Sequence, residues 1–391
     1  MKKLALIGIG VAVLGGVGFM TAHKSVSLSS QEQKATSTEQ IQMSGQREVK
    51  RMETPAVMKA AYLTAPAAGR DDKVKAIIAL KKDGLNAVVI DIKDSFGMVA
   101  YDSQLDTVKK YKLRQKFIPD LAGLVKRFHE EGIYVIARVA VFEDTAFAEA
   151  RPELAVQDGA RLRAAKGVIS KKTMWRDKKN LAWLDPSSTE VREYVVALSK
   201  DAMSYGFDEL NYDYMRFPSD GKTTSIVYPI TKQGEIHADI MHDFFKYLRA
   251  QTAGFTISGD IFGFTLLDKQ DIGIGQIVED VYENFDYVSP MVYPSHYPNG
   301  FLGYKNPAAY PYEIVSDSIQ KGLDRLIKYK AGGGTGNGKL RPWLQDFNLG
   351  ADYTSAMVGK QIKATQDVLK DRYVGFILWN PSSTYTEGGI R

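Results

Sequence analysis

Along most of the chain, short runs of β-branched and aromatic residues alternate with longer stretches whose apolar positions recur every three or four residues. The first kind reads as strands and the second as amphipathic helices. Strands are expected at 57–63, 86–92, 133–141, 207–213, 255–261, 285–293, 341–347 and 375–379. Between them lie helical patterns such as DDKVKAIIALKKDG, IPDLAGLVKRFHEEG, SSTEVREYVVALSKDAMSYG and EIHADIMHDFFKYLRAQTAG. This alternation calls for an α/β fold with a parallel sheet and crossover helices. Eight strands favour a closed (β/α)8 TIM barrel over an open sheet. No G-x-G-x-x-G follows the first strand, which argues against dinucleotide binding.

The connections have a polarity. Turns from helix to strand are short and glycine-marked, as at Asp83-Gly84, Glu131-Gly132, Tyr205-Gly206 and Ala253-Gly254. Segments leaving the strands are long: 93–118, 142–186, 214–234 and 294–307. In a barrel the loops after the strands build the active face, so this distribution suits a substrate-binding protein. The glycine-rich AGGGTGNGK precedes a strand and belongs on the opposite face, where it reads as a flexible loop rather than a phosphate cradle.

The first 54 residues break the pattern. Lys2 and Lys3 precede an uncharged run from Leu4 to Met20, as in a signal peptide or membrane anchor over 1–24. Five glycines in that run exclude a soluble helix. Residues 25–54 are polar and lack aromatics, so they read as a disordered linker, with the barrel over 55–391. The protein is expected outside the cytoplasm, secreted or tethered, touching the membrane only through its N-terminus. The formal net charge of +5 is slight for 391 residues and comes without a basic stripe, which argues against nucleic acid. There is no cysteine, so disulfides, thiol nucleophiles and thiolate metal sites are excluded. His237 and His242 are five apart, the wrong spacing for two ligands on one helix face, and no metal or other cofactor is expected.

The strongest local signal for chemistry is GFDELNYDYMRFPSDG, 206–221. Alternation puts Glu209, Asn211 and Asp213 on one face of the strand, climbing toward the active mouth, with Arg216 close enough to steer or pair with Asp213. In FTISGDIFG, Thr256, Ser258 and Asp260 share the inward face, which sets Asp260 beside Asp213. Two carboxylates on adjacent strand ends suit glycoside cleavage, one protonating the leaving oxygen and the other attacking the anomeric carbon or activating water. Asp91 and Lys93 alternate together, Arg138 is followed by Glu143 and Asp144, and Asp346 and Asn380 close later strands. Glu143 and Asp346 are reserve candidates for the acid. Tyr293, Trp343 and Trp379 are candidate faces for sugar rings, and His296 is a further candidate contact.

The stretches AAYLTAPAAG, NAVVIDIKDSFGMVAYDS, IYVIARVAVFED, FDELNYDYMRFPSDG, SPMVYPSHY, RPWLQDF and GFILWNP resemble the glycoside hydrolase barrels of domain-of-unknown-function family 4015. The resemblance runs from about Pro55 to the C-terminus and implies a TIM barrel akin to α-amylase- and α-galactosidase-like hydrolases. It also implies a nucleophile at Asp213, whereas Asp260 matches the relatives' acid by position alone. The combined expectation is a monomeric, cofactor-free glycosidase acting on an envelope or extracellular polysaccharide, with retention of configuration. Asp213 and Asp260 would be catalytic, with Asp91, Arg138, Asn211, Arg216, Tyr293, Trp343, Asp346 and Trp379 contacting substrate or positioning the carboxylates. The competing expectation is a non-catalytic barrel that binds or scaffolds glycan.

Overall fold

The structure is a computed structural model and describes residues 51–390. Eight parallel strands close into a barrel: β1 Met58–Leu63, β2 Ala87–Lys93, β3 Tyr134–Ala140, β4 Glu209–Asp213, β5 Thr256–Phe262, β6 Tyr287–Met291, β7 Trp343–Gln345 and β8 Gly375–Trp379. Trp343 pairs with Met291 on one side and Ile377 on the other, and Met58 pairs with Gly375, which closes the ring. A short lead-in, Lys339–Leu340, pairs with β6 ahead of β7. Each expected strand is present, shortened by a residue or two at most ends.

The covering helices are α1 Asp71–Ala79, α2 Leu121–Glu130, α3 Thr189–Ser204, α4 His237–Gln251, α5 Val278–Asn284, α6 Pro311–Ala331 and α7 Ser355–Leu369. The third shows how the sequence sets these boundaries. Ser188 caps it by accepting a hydrogen bond from the Val191 amide at 3.3 Å, and Val191, Tyr194, Val195, Leu198 and Ala202 form its buried stripe. It stops before Gly206, whose φ of +103° turns the chain back toward β4.

Two apolar clusters follow from strand alternation. Leu210 and Tyr212 face the helices, and the Tyr212 hydroxyl donates to Ser199 on α3 at 2.8 Å. The barrel interior is a smaller group including Met58, Ala60, Tyr62, Ala87, Val89, Tyr134, Ile136, Trp343 and Ile377. At its lower end Arg341 and Glu209 form a fully buried ion pair, with the guanidinium 4.0 Å from the Tyr287 ring centroid. Ser258 donates to Glu209 at 2.6 Å. A buried pair is tolerated only when its remaining groups are bonded, and most of them are here.

Three details differ from the pattern. A β-bulge between Asp91 and Lys93 breaks their alternation, so Asp91 stays inside the barrel while Lys93 pairs with Asp144 at 2.8 Å, both fully buried. In the glycine-rich loop, most of which is exposed, Gly336 and Gly338 are buried, and a Cβ on Gly336 would lie 2.2 Å from the Tyr282 carbonyl oxygen. Residues 51–54, expected in the linker, lie against the barrel's lower end. Arg51 donates to the carbonyls of Phe207 and Met203 at 3.1 Å each, and the Met52 amide donates to Asp208 at 2.6 Å. The membrane-entering segment and the rest of the linker lie outside the described residues. Among the described residues no helix is long and apolar enough to cross a membrane.

Candidate active site

The long loops after β3 and β4 are stitched together above the barrel. Within 142–186, Glu143 bridges Trp183 and Arg176 bridges Ala182, while Gln157–Asp158 pairs antiparallel with Ile226–Val227 from the β4 loop. They wall a cavity of about 500 Å3 at the carboxyl ends of the strands. Of the candidate site residues, Arg138, Asp213, Arg216, Tyr293, Trp343 and Trp379 line it. Tyr293 and Trp379 stack at 5.0 Å, giving an apolar face on one side.

Arg138 organises the cavity floor. From β3 its guanidinium donates to Asp91 at 2.5 Å and to Asp213 through Nη2 and Oδ2. Its Nε stands 3.7 Å from Asp260. Tyr62 donates to the other oxygen of Asp91, and the Tyr214 amide donates to the other oxygen of Asp213 at 2.6 Å. Tyr214 adopts φ +53°, a left-handed conformation costly for a bulky side chain, and so ends β4 abruptly at Asp213.

Asp260 stands lower in access though level in register. Strand β5 continues two residues past it to Phe262, which keeps Asp260 inside the ladder at 1% exposed, outside the cavity lining. Its Oδ1 accepts from Asn211 at 2.8 Å and from the Trp343 indole at 2.7 Å, while Oδ2 has no hydrogen-bond partner. Burial first, and the neighbouring Asp213 charge second, push Asp260 well above the usual carboxylate range. Burial also raises Asp91, despite the opposing pull of Arg138.

Several expected contacts lie elsewhere. Asn211 is buried between Ser258 and Asp260 beneath the cavity, and Asp91 is enclosed by Tyr62 and Arg138. Asp346 faces the C-terminal segment, accepting from the Thr386 hydroxyl at 2.5 Å and its amide at 2.9 Å. The reason is parity: Trp343 points inward, so Asp346, three residues on, points out. Arg216 forms no ion pair with Asp213. It donates through Nη1 to the Phe217 carbonyl at 3.2 Å and to Ser219 at 3.1 Å, among the rings of Phe262, Trp183 and Tyr214.

Glu143 opens onto the same cavity as Asp213. Burial, then hydrogen bonding to Asp177, pushes its carboxyl up to about 8. Its neighbourhood depends on the fold of the 142–186 loop, which strand periodicity does not describe. Lys179, Ser219, Asp220, Phe264 and Tyr297 also line the cavity, as does His296, whose imidazole is lowered by burial and by Lys179. Among the described residues no group of three or more His, Asp and Glu side chains is arranged to hold a metal ion.

Comparison with solved structures gives partial overlaps. A hypothetical protein from Ruminiclostridium thermocellum is 31% identical over 51% of this chain and 96% of its own, with a TM-score of 0.45. The catalytic domain of a β-amylase from Paenibacillus polymyxa is 12% identical over 86% of this chain and 95% of its own, with a TM-score of 0.48. The glycoside hydrolase domain of PelA from Pseudomonas aeruginosa is 11% identical over 84% of this chain and 96% of its own, with a TM-score of 0.40. No curated protein matches the chain. Residues 60–385, nearly the whole barrel, match the family described as "Putative glycosyl hydrolase domain", and the chain belongs to that family, DUF4015.

Proposed function

We propose that this barrel is a retaining glycosidase acting on an extracytoplasmic polysaccharide, with Asp213 as nucleophile and Glu143 as the acid and base. The observation that carries the reading is one cavity lined both by a strand-end carboxylate, Asp213, and by a carboxyl raised to about 8, Glu143. Glu143 would keep its proton at neutral pH and give it to the glycosidic oxygen as the Asp213 carboxylate attacks the anomeric carbon. The C–O bond breaks, leaving a glycosyl ester on Asp213 and a neutral leaving alcohol. Glu143, now a carboxylate, takes a proton from water, which displaces Asp213 and restores both groups. Asp260, kept out of the cavity, supports Arg138 from below rather than acting as the acid. Tyr293 and Trp379 offer the flat surface on which a sugar ring stacks.

A second reading is a glycan-binding barrel without turnover. It is favoured by the bonding of both Asp213 oxygens, one to Arg138 and one to the Tyr214 amide. Screening the protein against a panel of polysaccharides separates the two. Release of reducing ends that stops in Asp213→Asn supports hydrolysis. Tight binding with no product, unchanged by Asp213→Asn, supports the glycan-binding reading.

A further inference from the structure

The charge on Arg216 is the part of the cavity that glycosidic bond cleavage does not use. The side chain is 7% exposed, yet no carboxylate of the described residues pairs with it. Asp213, Glu143 and Asp220 are its charged surroundings, none close enough for an ion pair. Nη1 is satisfied by Phe217 and Ser219, whereas Nε and Nη2 make no hydrogen bond among the described residues. A guanidinium this buried is normally matched by an anion, because its desolvation is otherwise uncompensated. Here the aromatic cage fixes the plane, with Phe262 and Trp183 at 4.4 and 4.7 Å from the guanidinium carbon.

The rest of the lining leaves this guanidinium without an ion-pair partner among the described residues. Arg138 is committed to Asp91 and Asp213, and Glu143 carries a proton at neutral pH. Lys179 adds a second cation at the same cavity, near enough to bear on both Glu143 and His296. Asp220, half-buried, and Asp213, which shares Arg138 with Asp91, are the lining carboxylates that oppose them, and neither forms an ion pair with Arg216.

We propose that Arg216, assisted by Lys179, forms a subsite for an anionic substituent on the sugar, so that the substrate is an acidic polysaccharide. The free Nε–Nη2 edge is the side of a guanidinium that takes two oxygens of one planar group, which fits the carboxylate of a uronic acid; a sulfate ester presents a similar pair of oxygens. This proposal rests on the glycosidase reading for the sugar, but not for the anion, and binding alone tests it.

The experiment is calorimetric titration of the full chain with trigalacturonate, its fully methyl-esterified form, and a sulfated trisaccharide of the same backbone. Esterification removes the charge and keeps the sugar. Wild type should bind the acid or the sulfate about 10- to 100-fold more tightly than the ester, as expected for losing hydrogen bonds to a charged group. The stronger anionic arm identifies the substituent. The preference should disappear in Arg216→Gln and shrink in Arg216→Lys, whose point charge cannot make the paired contact. Equal binding of acid and ester by wild type, or no binding of either anionic sugar, overturns the subsite whatever the variants do. A preference for the acid without cleavage leaves the subsite standing and removes only the hydrolase reading.

Discussion

Arg138 on the third strand and Asp213 on the fourth are joined guanidinium to carboxylate across the floor of the cavity. Asp91 takes the other arm of the same arginine, so one cation holds two strand-end carboxylates in place and faces a third, Asp260. Replacing Arg138 by Met should therefore leave mutually repelling buried acids. A loss of about 3–5 kcal/mol is expected, as for breaking a buried pair by removing one partner. Chemical denaturation checks this, and Arg138→Lys should recover only part of the loss.

Glu143 should set the alkaline limb of activity. The acid must be protonated, so turnover should fall as pH rises through about 8, and this limb should vanish in Glu143→Gln. The variant should be slower by about 10²–10⁴-fold, least on substrates with good leaving groups. Stability offers an independent check. The folded state holds this proton more tightly than the unfolded chain, so the contribution is complete below pH 4.5 and is lost as pH rises to about 8. Melting curves across that window should show wild type losing ground to Glu143→Gln.

Asp346 should matter for stability alone. Truncating it to Ala strands the Thr386 amide and hydroxyl, costing about 1–3 kcal/mol. Turnover per folded molecule should stay near wild type in a steady-state assay.

The barrel was legible because its signals are local: β-rich runs, helical stripes and glycine-marked returns. Glu209, Asn211 and Asp213 were placed correctly on the inner face by a period of two. What failed depended on where each strand stops. Asp213 and Asp260 are level in register, but β4 ends at Asp213 while β5 runs on to Phe262, which admits one carboxylate to the cavity and seals in the other. The bulge after Asp91 and the parity at Asp346 are similar single-residue effects. Glu143 reaches the site through a loop held by Trp183, a contact between residues 40 apart for which periodicity has no signal.

The lower end of the barrel bears on where the domain begins. A protein starting at Arg51 should melt as the full chain does, whereas one starting at Pro55 should melt lower. It loses the Arg51 and Met52 bonds and the Thr54 contact with Tyr134. Paired thermal scans compare the two, and identical melting would show that residues 51–54 contribute nothing.

The most direct test of the account is the turnover of Asp213→Asn on a glycan that the wild type cleaves. The swap keeps the shape of the side chain and deletes the nucleophile, so hydrolysis should fall by at least about 10³-fold. Binding of the same glycan should persist. Hydrolysis at the wild-type rate by folded Asp213→Asn would contradict the mechanism.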